Sequence, residues 1–208
     1  SGVGILDLAF ENSGFDIVFV NEYEPKFMVA YQYTREQLEM EEPLYGYSTK
    51  NAIAYTKRRN KKKLLYMIQS EKEKGNIVGF IGGPPCPDFS IGGKNKGANG
   101  KNGRLTKTYF DLITRCQPDF FLFENVKGLV KTEKHKKFYN QMQMKITHSG
   151  YAISDKLVNA LSYAVPQFRE RIIMVGFKEK LLKDTNIFTI DKSNHFEFPW
   201  KKHEHYNA

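Results

Sequence analysis

The chain of 208 residues holds 40% hydrophobic and 26% charged residues, the balance of one soluble globular domain with a full core rather than of a disordered polymer. No apolar run approaches the roughly 20 residues of a membrane span, no signal peptide opens the chain, and two cysteines, Cys86 and Cys116, fit a reducing, cytoplasmic compartment rather than a disulfide framework. A net charge of +9, from 32 basic against 23 acidic residues, favours a polyanionic partner.

Ser1-Gly2-Val3-Gly4 leads directly into a helical stripe of Ile5, Leu6, Ala9 and Phe10, with Gly14 as the stop. A Gly-x-Gly turn at a helix N-terminus lets backbone N–H groups approach an anion, although it is also a common plain turn. Phe15 to Asn21 is β-branched and aromatic and predicts a buried strand, ending at Glu22-Tyr23-Glu24-Pro25. An acidic residue about 20 positions after a glycine turn can accept both ribose hydroxyls of a nucleoside cofactor. Glu22 is placed for this and Tyr23 could cover an adenine face; the alternative is a surface carboxylate that ends a strand.

Phe27 onward predicts a crossover helix. Leu44 to Tyr47 reads as loop, and the Lys57 to Lys63 run opens a helix carrying Leu64, Leu65 and Ile68. That basic run is either a solvated face or a phosphate contact. Asn76 to Ile81 is a short apolar strand, stopped by Gly82-Gly83-Pro84-Pro85-Cys86-Pro87-Asp88-Phe89-Ser90. The cysteine in this stiff loop is either a packed small hydrophobe or a presented nucleophile, and a rigid loop is a poor place to hide a side chain.

Ile91 to Arg104, with five glycines, three asparagines and three lysines, cannot form a core; it is a linker or a lid closing on a polyanion. A helix is predicted from Leu105 to Cys116 and a buried strand from Asp119 to Phe123. Glu124 then ends an apolar strand, where a carboxyl group must be protonated or paired. Lys136 to His148 predicts another helix. Tyr151 to Ser154 and Arg171 to Phe177 predict the last strands, and Arg169 and Arg171 fall on one side of the extended segment between them, as a binding pair or as salt bridges at a strand start. The tail through Phe196 and Trp200 reads as polar and irregular, and His203 and His205 lack the company a metal site needs. The alternation of strands and helices predicts a doubly wound α/β sheet.

Pro84-Pro85-Cys86, then Glu124-Asn125-Val126, then Gln167-x-Arg169-x-Arg171, in that order, resemble the cytosine-C5 DNA methyltransferase family of restriction–modification systems. The resemblance runs over essentially the whole chain. It implies a Rossmann-like, three-layer α/β/α fold of the S-adenosylmethionine-dependent methyltransferases, with residues 1–178 as catalytic and cofactor-binding domain and 179–208 leading toward a target recognition domain. It implies S-adenosyl-L-methionine as methyl donor, held by Gly2, Val3, Gly4, Glu22, Tyr23, Pro84 and Leu105. Cys86 would add to cytosine C6, Glu124 would act at N3, Arg171 would hold O2, and Arg169 would order the site or meet phosphate. The partner would be double-stranded DNA with its target base flipped out, alongside a cognate restriction endonuclease.

Four departures from the family pattern stand out. Ile5 replaces a usual glycine and Pro87 a usual Gln. Only Asn51-Ala52-Ile53 stands where an adenine-contacting acidic residue is expected. The strand that should precede Gly2 is also missing, so the chain is expected to be cut inside the cofactor motif, and native protein to extend at both ends or to use a second polypeptide. An RNA-directed relative and a non-catalytic binding fragment are the competing readings.

Overall fold

The structure is a computed structural model that describes residues 1–85, 101–185 and 187–200. The chain divides into two compact units, Ser1–Asn76 and Ile77–Ala208. No helix among the described residues is long and apolar enough to cross a membrane.

The first unit runs α1 (Ile5–Glu11), β1 (Val20–Asn21), α2 (Pro25–Gln37), β2 (Tyr47–Ser48), a 3₁₀ turn (Ala52–Thr56) and α3 (Arg58–Glu73). Pro25 at the first turn of α2 suits a position whose N–H has no helical partner. The predicted strand from Phe15 is shorter than expected: only Val20 and Asn21 pair, in parallel with Tyr47 and Ser48. Tyr45 N–H to Val18 O at 2.8 Å and Glu22 N–H to Ser48 O at 3.0 Å extend the contact at each end. The segment Leu44 to Tyr47, expected to be loop, thus supplies part of a strand. Val20, Met28 and Tyr31 form the unit's apolar centre. In α1 the predicted stripe is not the buried one. Ile5 and Ala9 are exposed and Asp7 is buried, because the Tyr31 hydroxyl satisfies its carboxylate from below.

In the second unit β3 (Gly79–Gly82), α4 (Lys101–Cys116), β4 (Phe120–Val126), α5 (Gly128–Lys131), α6 (Glu133–Thr147), β5 (Tyr151–Asn159), β6 (Glu170–Lys178) and α7 (Glu179–Thr185) follow in order. The sheet order is β3-β4-β6-β5. β3 and β4 are parallel, which requires the helical crossover that α4 provides. β6 is antiparallel to both of its neighbours. On one face Phe121, Phe123, Ile153 and Met174 meet Phe110, Ile113, Phe138 and Ile146 of the helices. On the other, Ala152 and Val175 meet Leu182 and Phe196. Helices thus cover one face, and α7 with the tail covers the other, which gives the layered Rossmann-like fold.

Two local differences follow from pairing. β4 continues through Glu124 and Asn125 because β6 hydrogen-bonds it as far as Val126, opposite Arg171. The tail, expected to be polar and irregular, packs Phe188, Phe196, Phe198 and Trp200 into an aromatic cluster. α4 begins at Lys101, so the predicted lid gives way to helix before Arg104; its residues 91–100 lie outside the described residues, as do His203 and His205.

Candidate active site and cofactor cradle

In the first unit, β1 runs directly into Glu22. One carboxylate oxygen accepts the Gly2 N–H at 2.7 Å and the other the Glu24 N–H at 2.9 Å. Burial alone would raise the Glu22 pKa, but the backbone donors of Glu24 and Gly2 outweigh it, so the carboxyl lies below its ordinary value. Gly4 caps α1 in the left-handed region at φ +93°, and a Cβ there would sit 2.8 Å from the Tyr31 ring. No residue but glycine fits both conditions. Val3 is exposed next to it, and the Tyr23 ring is 63% exposed just beyond Glu22. The structure therefore brings Gly2 and Glu22 together and leaves Tyr23 open to solvent.

A buried network under this turn was not foreseen. Tyr31 Oη donates to Asp7 Oδ2 at 2.9 Å. Arg35, one helical turn further along α2, donates to both Glu11 oxygens at 2.9 and 3.0 Å and to the Glu41 carbonyl. Burial pushes the Asp7 carboxyl up, against the Tyr31 hydrogen bond and nearby positive charge. The available signal was an acidic residue in the middle of an otherwise amphipathic helix.

In the second unit, parallel β3 and β4 place their carboxyl ends together, and antiparallel β6 begins at the same edge. The Pro84 carbonyl accepts from Asn125 Nδ2 at 3.2 Å, and Asn125 Oδ1 accepts the Val126 N–H at 2.8 Å. Asn125 is buried and latches the Pro-Pro turn to β4. Beside it Arg171 Nε meets Glu124 Oε1 at 2.8 Å, with side chains 23% and 33% exposed. Arg171 Nη1 also donates to the Glu170 carbonyl at 2.8 Å. A Cβ on Gly83 would lie 2.6 Å from Glu124 Oε2, so the turn closes directly over that carboxylate.

Glu124 is thus paired, one of the two states its apolar strand allows. Arg169 is not drawn into this pair. It precedes β6, is exposed, and is fixed through its backbone, with its N–H on Asn159 Oδ1 at 3.3 Å and its carbonyl accepting from Ala160. Leu105 lies half-buried on α4. Cys86 lies outside the described residues. Cys116, on the last turn of α4, is buried in the core as a small hydrophobe.

A family model for C-5 cytosine-specific DNA methylases matches residues 1–208. The type II methyltransferase M.NmeDI of Neisseria meningitidis serogroup C is 50% identical over 199 residues, 96% of this chain and 47% of that protein. M.FnuDI of Fusobacterium nucleatum, also a type II methyltransferase, is 34% identical over 200 residues, 96% and 48% of the two chains. The chain thus spans about half the length of the curated relatives it matches. Among solved structures, an E. coli prophage protein described as a DNA modification methyltransferase superposes with a TM-score of 0.64 at 25% identity, over 87% of this chain and 45% of that one. DNMT2 of Spodoptera frugiperda superposes with a TM-score of 0.56 at 20% identity, over 87% and 49%, a likeness of fold.

Proposed function

Because this chain belongs to the C-5 cytosine-specific DNA methylase family, we propose that the whole protein methylates C5 of a cytosine flipped out of double-stranded DNA, with Cys86 as nucleophile. A cognate restriction endonuclease would be the matching partner, a reading that its relatives' type II designation supports. S-Adenosyl-L-methionine would supply the methyl group. The first unit's residues fit it: the Glu22 carboxylate, fixed by the Gly2 and Glu24 N–H groups and met by the Ser1 ammonium at 3.2 Å, would turn its oxygens to the ribose hydroxyls. Gly2, Val3 and Gly4 form the turn against it, and the open Tyr23 ring can cover a base.

The chemistry rests on this chain's own groups. Cytosine C5 is too weak a nucleophile unaided. Addition of the Cys86 thiolate forms an S–C6 bond and turns C5 into an enamine-like carbon able to accept the methyl group. Glu124 would hydrogen-bond or protonate the ring at N3 and so drain the charge that addition pushes into it. The Arg171 guanidinium, held by Nε to Glu124, has further N–H groups for O2. Loss of the C5 proton and breakage of the S–C6 bond then return Cys86. Flipping the base costs a few kcal/mol, which contacts to the extruded strand offset.

The observation that carries this reading is the 2.8 Å Glu124–Arg171 pair at the edge where the Pro84-Pro85 turn closes. The test is a duplex containing 5-fluorocytosine, given to the full-length protein with its methyl donor. Fluorine cannot leave as a proton does, so a covalent protein–DNA complex mapping to Cys86 is expected. Mapping to Cys116, or no complex, counts against it.

A further inference from the structure

Across the rim from the Glu124–Arg171 pair lies a second one. Lys127 Nζ, just past the end of β4, reaches both carboxylate oxygens of Glu170 at 2.6 and 2.8 Å. Glu170 is the first residue of β6 and points away from Arg171, since side chains alternate along a strand. The segment leading into β6, residues 163–169, is exposed throughout and includes Ala164 at φ +60°. Arg171 therefore stands at the start of a strand held by its ladders to β4 and β5, with little buried anchoring upstream of them. Its own pair with Glu124 is a diagonal one, so it depends on how this end of β6 is held.

We propose that Lys127 is a positioning residue for the methylation reaction: its ion pair with Glu170 ties the start of β6 to the end of β4 and so aims Arg171 at Glu124. The tether acts through the backbone. With Glu170 held on its own side, the next residue must project to the other, and the Val126↔Arg171 register brings that guanidinium diagonally across to Glu124. Lys127 touches no reacting atom. The pair is too exposed, at 41% and 23%, to matter much for stability. This inference rests on the reading of Arg171 and Glu124 as active-site groups.

The test uses the full-length protein with Lys127→Met and Lys127→Arg, each alone and in an Arg171→Lys background, measuring kcat, KM for DNA and thermal midpoint. Lys127→Met should lower kcat about tenfold with KM within about threefold, while Lys127→Arg keeps most activity. In the Arg171→Lys background, already slow, Lys127→Met should cost less than about threefold more, because what it aims is gone. An unchanged kcat for Lys127→Met, or an equal loss in both backgrounds, overturns the proposal and leaves the active-site reading standing. Wild-type kcat in Arg171→Lys overturns both.

Discussion

Glu124 and Arg171 meet diagonally, not face to face: the ladder sets Glu124 opposite Ile173 and Arg171 opposite Val126, yet Nε reaches Oε1 at 2.8 Å. The two side chains share one face of the sheet, two residues apart in register, within reach for long side chains. The pair therefore depends on strand register, since a slip by one residue would turn Arg171 to the opposite face.

Glu124→Gln keeps this shape but removes the acid. In the full-length protein, methyl transfer should fall by about 10²- to 10⁴-fold, with DNA affinity changed far less. Single-turnover methylation with a filter-binding control measures both; a Gln variant of near-normal rate would exclude Glu124 from the chemistry.

Glu22→Ala should weaken S-adenosyl-L-methionine binding by about 1.5–3 kcal/mol, typical of a hydrogen bond to a charged group. Gly4→Ala should weaken it too, because the left-handed φ and the Tyr31 ring both oppose a Cβ. Calorimetric titration of the two variants checks this, and unchanged affinity for Glu22→Ala would remove the ribose role.

Tyr109, on α4, points its hydroxyl at two carbonyls, Phe80 at 3.0 Å and Leu122 at 2.6 Å, one on each of the parallel strands β3 and β4. Burial pushes this phenol well above its ordinary range, so it stays a donor at any working pH. Tyr109→Phe should destabilise the fold by about 1–3 kcal/mol through the orphaned acceptors. Urea unfolding monitored by circular dichroism measures the shift.

Glu71 is held by the Lys74 ammonium first, then by Tyr45 and Asn76, and these donors outweigh burial to bring its pKa from 4.5 to about 2. A depressed carboxyl adds stability above its unfolded pKa and loses it as pH falls through the folded value. The stabilisation should thus be intact above about pH 5 and drain away toward pH 2. Glu71→Gln should flatten this limb of an acid-unfolding profile; an unchanged profile would mean that the carboxylate is not held as described.

The parts most legible in the sequence were those governed by local pattern. Nearly unbroken apolar runs announced β3, β4 and β6, and the alternation with amphipathic helices announced the doubly wound sheet. The contact between the glycine turn and the Glu22 carboxylate suits the separation of a glycine turn from an acidic strand end that the sequence shows. What escaped depended on distant partners. Leu44 to Tyr47 looked like loop, and Tyr47 pairs only because Val20 lies beside it. Glu124 looked like a strand end, and β6 carries the strand past it. Asp7 was hidden in an expected apolar stripe, since only the Tyr31 hydroxyl, 24 residues away, makes its burial tolerable. The aromatic tail needs the far face of the sheet before it can be read as core.

The central position of β6 has a consequence for how the protein is made. β5 emerges from the ribosome before β6, yet among the described strands β6 is its neighbour and the link to β4. A nascent chain can thus build β3, α4 and β4 early, while β5 waits without a place in the sheet. Arg171 arrives with the last of the described strands, so its pair with Glu124 waits until β6 inserts between two strands already synthesised. A growing chain, or one stalled before residue 171, therefore carries Glu124 without the guanidinium that pairs with it. Such late, non-local closure is also slow, which makes the interval before β6 docks the period when the sheet's open edge is most exposed to aggregation.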